Sequence, residues 1–305
     1  MEVFLAEPRG FCAGVRRAIA IVEKALSEYG APVYVRHEIV HNKHVIADLT
    51  SKGAVFIEEL SEADPSRPVI FSAHGVSKAI EREAKQLGLK TIDATCPLVQ
   101  KVHNQISRFN QQNLEIVVIG KAKHPEIIGT IGQCSSPEKI QVISSKEEAE
   151  SLIYPPQTKV GFVTQTTLSI DETRTITDVL RHRFPQIQGM PKADICYATT
   201  NRQKAIKALT EKTPNIIVLG SKNSSNSNQL RNTALQNGAE KAWLADDYKE
   251  LDWAEIDKLS SIGISAGASA PEYLVDDLLA ELKRRYDNIK IQRIIITQEN
   301  VNFTV

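Results

Sequence analysis

The chain has 305 residues, 42% of them apolar and 24% charged, with 37 basic residues balancing 37 acidic ones. This composition fits a folded globular protein, excludes a disordered chain and argues against a nucleic-acid partner, which asks for a basic footprint. Pure aliphatic runs such as 116–119 and 216–219 reach only four residues, so no membrane span is expected. The opening MEVFLAEPRG lacks the basic start and long apolar stretch of a secretory signal, and a cytoplasmic location is expected.

In chain order, an apolar stretch at 3–6 meets a Pro-Arg-Gly turn and Cys12, followed by a helix with Val15, Ala18, Ile19, Val22 and Leu26 on one face. A strand at 33–35 leads to His41-Asn42, one at 69–71 to Ser72-Ala73-His74-Gly75, and a helix covers 78–87. A strand at 91–95 runs into Cys96, with Pro97 as a favoured first helical residue and Leu98, Val102, Ile106 and Phe109 as the helix stripe. Residues 116–119 then lead to His124-Pro125-Glu126, a helical stretch ends at Cys134, 160–163 lead to the loop 164–167, and a helix spans 170–184. Residues 193–195 read as a strand entering Cys196, before a helix bearing Ala205, Ile206 and Leu209. Finally 216–219 lead to Ser224-Ser225-Asn226, 262–264 to Ser265–Ser269 numbered consecutively, and a helix covers 271–286.

These elements echo three times. Cys12 to His41, Cys96 to His124 and Cys196 to Ser224 are separated by 29, 28 and 28 positions, and each cysteine opens a helix. The expected fold class is α/β, with three small parallel-sheet α/β domains of roughly 95 residues in a pseudo-threefold arrangement around a central cavity. The units are 13–97, 98–193 and 194–305, with 1–12 packing onto the last. Ligands of open α/β sheets bind beyond the carboxyl ends of the strands. That edge would gather Cys12, Cys96 and Cys196, the first loops with His41, Asn42, His124, Pro125, Glu126, Ser224, Ser225 and Asn226, and the second loops with His74, Thr166, Thr167 and Ser269. Cys134 is out of phase and is assigned to structure.

A thiol at a helix N-terminus sits in a positive field that favours the thiolate, and three thiolates suit a soft metal such as an iron–sulfur cluster with one open iron. The hydroxyls, amides and imidazoles suit a phosphate group, and Glu126 is the carboxylate among these loops, hence the natural general acid. Each residue also has a plainer reading. Free cysteine is a common core filler, Glu126 could be a first-turn acid, His74 a turn residue, and 224–228 a capped polar loop. His37, His44, His103 and His182 read as ordinary polar residues. From residues alone, an iron–sulfur reductase, a hydro-lyase using a cluster only as Lewis acid, and a phosphate-ligand binding protein all remain open.

The runs FCAGVRRAI, HEIVHNKHV, FSAHGVS, DATCPLVQKVH, KHPEIIGT, VTQTTLS, ICYATTNRQ, GSKNSSNSNQL and SAGASAPE, in this order along nearly the whole chain, resemble the LytB-type 4-hydroxy-3-methylbut-2-enyl diphosphate reductases. The resemblance implies the last step of the methylerythritol phosphate route to isoprenoids, a two-electron, two-proton reductive dehydroxylation yielding isopentenyl and dimethylallyl diphosphate. It implies a [4Fe–4S] cluster on Cys12, Cys96 and Cys196 with one open iron site. His41, His74, His124, Ser224, Ser225, Asn226 and Ser269 then match the diphosphate contacts, Glu126 the proton donor and Thr166 its partner at the substrate hydroxyl. A ferredoxin or flavodoxin is the implied electron donor. One departure stands out: the family run Gly-His-x-Gly-His-Pro-Glu reads Gly120-Lys121-Ala122-Lys123-His124-Pro125-Glu126 here, which would strain Lys123 if that position needed a positive φ.

Overall fold

The computed structural model describes residues 1–189 and 194–305. In chain order it contains β1 (Glu2–Glu7), α1 (Ala13–Tyr29), β2 (Val33–Arg36), α2 (Lys43–Ser51), β3 (Ala54–Ile57), β4 (Pro68–Phe71), α3 (Lys78–Gln86), β5 (Lys90–Asp93) and α4 (Pro97–Gln111). There follow β6 (Glu115–Ile119), α5 (Pro125–Ile131), β7 (Ile140–Ile143), α6 (Lys146–Ser151), β8 (Val160–Thr164), α7 (Ile170–Arg183) and α8 (Tyr197–Thr210). The last stretch holds β9 (Asn215–Leu219), α9 (Ser225–Gln236), β10 (Lys241–Ala245), α10 (Trp253–Ile256), β11 (Ser261–Ala266), α11 (Tyr273–Arg285) and β12 (Lys290–Ile295). Contacts divide the chain into two compact units. One comprises Met1–Arg16, Val40–Asp48 and Tyr197–Asn302; the other comprises Arg17–Ile39, Leu49–Cys196 and Phe303–Val305.

The first compact unit is built on one parallel sheet in the order β10-β9-β11-β1-β12. Alternate residues of β1 serve opposite faces. Val3 and Leu5 pack with Ile217, Ile264 and Leu278, whereas Phe4 and Ala6 pack with Ala205, Ile206 and Leu209. Helices on both faces require strands apolar at every position, which is why 216–219 is an unbroken aliphatic run.

The second compact unit carries two parallel sheets, β3-β2-β4-β5 and β7-β6-β8. In the latter, Ile116 and Val118 share a cluster with Ile106 and Phe109, while Val117 and Ile119 share another with Phe162 and Ile176. Gly161 is required on β8, since a Cβ there would lie 2.8 Å from the Phe109 ring.

The internal echo has an atomic counterpart in all three sheets. The residue after an inner strand donates its N–H to the last carbonyl of the edge strand beside it: His37 to Ile57, Gly120 to Ile143 and Gly220 to Ala245, each at 2.8 Å. One expected element differs. Asp194 and Ile195, expected to end a strand entering Cys196, are irregular, and Ala193 lies outside the described residues. The reason is that the Asp194 side chain takes over part of the ladder's work, its Oδ2 accepting from the Thr164 N–H at 3.2 Å. Among the described residues, β8 is extended on its other side by a bridge between Gly161 and Gln188.

Candidate functional site

Each of the three in-phase cysteines lies directly before a helix and is half-buried. Each backbone N–H donates to a carbonyl two residues past the end of a strand: Cys12 to Ala268 at 3.1 Å, Cys96 to Ala73 at 3.0 Å and Cys196 to Thr166 at 3.1 Å. The same short loop therefore fixes each cysteine backbone and carries one of the expected second-loop residues, Ser269, His74 or Thr166.

In the second compact unit the expected residues form a continuous set. The Cys96 N–H reaches Ala73, whose neighbour His74 has its ring 5.8 Å from that of His124 in an edge-on arrangement. His74 sits on a tight turn. Gly75 has φ +76°, and a Cβ on it would lie 2.5 Å from Cε1 of His103. His103 is itself buried, and burial pushes its imidazole down to about 4, so it is a neutral packing element beneath the turn. Gly129 of α5 packs on the same turn, where a Cβ would lie 3.1 Å from the Gly75 carbonyl oxygen. That close approach holds the His74 and His124 loops together.

His124 is the N-cap of α5, its Nδ1 accepting from the Glu126 N–H at 3.1 Å. Glu126 is 2% exposed. Its Oε1 accepts from the Thr166 N–H at 2.6 Å and its Oε2 from the Thr166 hydroxyl at 2.9 Å. Burial pushes the Glu126 carboxyl up to about 7, outweighing the two Thr166 hydrogen bonds that favour the anion, and the nearby Asp194 pushes the same way. Asp194 is itself raised by burial. Thr166 thus touches Glu126 with its side chain and N–H while its carbonyl receives the Cys196 N–H.

The first compact unit holds Cys12, His41, Ser224, Ser225, Asn226 and Ser269. The Ser269 hydroxyl donates to the His41 carbonyl at 2.9 Å, and Asn226 Oδ1 accepts from the Ala268 N–H at 2.8 Å. Ser224 caps α9 by accepting from the Ser227 N–H. Asn226 Nδ2 is buried with no hydrogen-bond partner, a donor left over for an anion. Gly220 and Gly267 leave room for this arrangement, since Cβ atoms on them would lie 2.3 and 2.1 Å from the Ser227 hydroxyl.

Two positions escaped the sequence reading, and a third, the loop residue Asn42, gains a specific role. Asn42 rather than His41 caps α2, its Oδ1 accepting from the N–H groups of His44 and Val45, and Asn42 Nδ2 is also buried without a partner. Gln165 holds the lysine-bearing loop, its Oε1 accepting from the Lys121 N–H and its Nε2 donating to Thr167. Arg202, to which the sequence assigns no role, is fully buried. Lys123 needs no glycine: among the described residues other than glycine, only His37 and Asn113 have positive φ. Cys134 donates its thiol to Asn110 Oδ1 at 2.9 Å, a structural bond.

Among the described residues no group of three or more His, Cys, Asp or Glu side chains is placed to hold a metal ion. The donor chemistry nevertheless fits iron: three cysteines outside any disulfide, each partly exposed at a helix start.

The fold and these groups define an α/β enzyme in which loops at the carboxyl ends of parallel strands carry thiols and hydrogen-bond donors in each unit, and a buried carboxylic acid in the second. The sequence matches the LytB protein family over residues 3–283, and the chain belongs to that family. It is 50% identical over 307 residues to the 4-hydroxy-3-methylbut-2-enyl diphosphate reductase of Gluconobacter oxydans, covering 99% of this chain and 91% of the relative. It is also 50% identical over 285 residues to the enzyme of that name from Escherichia coli K12, covering 93% and 90%. The solved structure of the E-1-hydroxy-2-methyl-but-2-enyl-4-diphosphate reductase from Plasmodium falciparum aligns with TM-score 0.94 and 37% identity over 98% of this chain and 93% of that one.

Proposed function

We propose that this protein reduces 4-hydroxy-3-methylbut-2-enyl diphosphate to isopentenyl and dimethylallyl diphosphate, the last step of the methylerythritol phosphate route. The substrate takes up two electrons and two protons, its allylic C–O bond breaks, and water leaves. The observation that carries this reading is the buried Glu126–Thr166 pair, whose Thr166 carbonyl also receives the Cys196 N–H. Cys12, Cys96 and Cys196 would hold a [4Fe–4S] cluster, which when bound supplies electrons and one iron lacking a protein ligand.

The diphosphate is held by His41, His74, His124, Ser224, Ser225, Asn226 and Ser269. The unpartnered Asn226 Nδ2 supplies one ready donor, and imidazole N–H groups donating to the charged phosphate oxygens add charge-assisted bonds. Glu126, with its carboxyl raised to about 7, keeps a proton available near neutral pH for the departing hydroxyl. The Thr166 hydroxyl, at 2.9 Å from Glu126 Oε2, is placed to hold the substrate hydroxyl against the acid. The same reading divides the chain into the units 13–97, 98–193 and 194–305 with 1–12, takes a reduced ferredoxin or flavodoxin as donor, and places the enzyme in the cytoplasm. No helix among the described residues is long and apolar enough to cross a membrane.

Anaerobic purification tests the reading. Brown protein with iron and sulfide near cluster stoichiometry, whose spectrum changes on adding the diphosphate substrate and which forms both products with a reduced donor, is expected. A colourless protein that cannot be reconstituted with iron and sulfide would falsify it.

A further inference from the structure

The loop bearing Cys12 is gripped by a side chain given no role above, although it lies within the run ICYATTNRQ. Arg202 of α8 is 0% exposed. Its Nε and Nη2 donate to the Gly10 carbonyl at 3.1 and 2.8 Å, and its Nη1 donates to Ala198 O at 3.0 Å. The guanidinium also forks onto Glu299, with Nη1 at 3.0 and 3.2 Å from the two carboxylate oxygens and Nη2 at 3.3 Å from Oε2. Asn201 Nδ2 donates to the same carboxylate at 3.1 Å.

Gly10 has little freedom to move away from this grip. Its φ is +62°, a Cβ would lie 3.2 Å from the Ala270 carbonyl oxygen, and its N–H donates to Ala266 O at 3.1 Å. Two residues on, the Cys12 N–H donates to Ala268 O. The carbonyl of Gly10 would otherwise be a free hinge between these two bonds. A buried guanidinium is tolerated only with a paired anion, and its planar fork can hold a carbonyl and a carboxylate at once, which an ammonium cannot. The second compact unit uses a related device. Arg17 Nη1 donates to the carbonyl of Thr95, the residue before Cys96, at 3.1 Å, and Lys101 acts electrostatically on Asp194, two residues before Cys196.

We propose that Arg202, locked in place by Glu299, is a positioning residue that fixes the backbone of residues 10–12 and hence the direction in which the Cys12 thiol is presented. This role rests on the reading of Cys12 as an iron ligand. R202K keeps the charge but loses the fork; E299Q keeps the shape and the Gly10 contact but loses the anion that locks the guanidinium.

The first measurement uses full-length, cluster-free protein that is folded by circular dichroism. Cysteine alkylation by iodoacetamide is followed residue by residue through peptide mass spectrometry. Loosening of one loop predicts Cys12 labelling faster by about threefold in E299Q and about tenfold in R202K, with Cys96 and Cys134 within about twofold of wild type. In protein reconstituted anaerobically with iron and sulfide, both variants release iron to a chelator faster by similar factors. Unchanged Cys12 labelling in E299Q and R202K, or equal acceleration of all four cysteines, overturns the proposal; if R202K fails to fold, E299Q alone decides it. Wild-type protein that takes up no iron overturns the ligand reading instead, while the labelling pattern still decides the restraint on residues 10–12.

Discussion

Glu126 joins two roles that ordinarily conflict, since a carboxyl group taken from water resists ionisation while two hydrogen bonds to its oxygens favour it. Here burial is the larger effect and lifts the group from its ordinary 4.5 to about 7. A carboxyl more easily protonated in the folded state than in the unfolded one lends stability in full below about 4.5, and that contribution fades as pH rises through about 7. Wild-type protein should therefore lose stability between about pH 5 and pH 8, by at most about 3 kcal/mol for a shift of this size. E126Q, having nothing to titrate there, should lose much less, and urea midpoints at the two pH values measure the difference. Glutamine keeps an acceptor for the Thr166 N–H but has no acidic proton to give. Its kcat should drop by about a hundredfold to ten-thousandfold, with affinity for the diphosphate substrate retained. Parallel pH profiles for the two proteins would mean that Glu126 is not held as a buried acid.

At the level of elements, His124 terminates a loop and begins α5 in one stroke, because its Nδ1 accepts the Glu126 N–H while its ring meets His74. The two duties separate by substitution. Asparagine is a strong N-cap, so H124N should stay within about 0.5 kcal/mol of wild-type stability, whereas H124A should lose about 1 kcal/mol. Both remove the imidazole, and binding of inorganic diphosphate by calorimetry should weaken about tenfold or more in each, the worth of one charge-assisted bond. Equal destabilisation of the two variants would deny the cap; unchanged binding by H124N would deny the anion contact. The elements themselves were largely legible in the sequence, because strands covered on both faces must be aliphatic throughout, as at 116–119 and 216–219. The irregular backbone at Asp194 and Ile195 was not, since a carboxylate that replaces a ladder hydrogen bond leaves no periodic trace. β12 escaped for the opposite reason: it lies at a sheet edge and is mostly exposed, so its residues carry no burial pattern.

Across the whole molecule, sequence phase located the cysteines and loops because one loop geometry is used three times, a carbonyl two residues past a strand receiving a cysteine N–H. Arg202 stayed hidden because its contacts join chain segments far apart, and Asn42 was placed in its loop but not as the cap, which turns on a one-residue shift. The same architecture separates folding from chemistry. Among the described residues, the aliphatic clusters around β1, β4, β6 and β9 include none of Cys12, Cys96 or Cys196, all three of which remain partly exposed. Cys134, in contrast, packs against the cluster containing Phe109 and donates to Asn110. Replacing one of the first three by serine changes little buried surface, so C12S, C96S and C196S should each melt within about 3 °C of wild-type cluster-free protein, a shift of about 1 kcal/mol or less for a chain of this size. Each should nonetheless bind iron poorly after anaerobic reconstitution. C134S should show the reverse, with full iron content and a modestly lower melting temperature, because a serine hydroxyl is shorter and less apolar at a packed site. Calorimetry paired with iron analysis on the four variants tests the division: loss of iron in C134S, or its retention in all three others, would mean that the repeated loop geometry selects cysteine for packing rather than for metal.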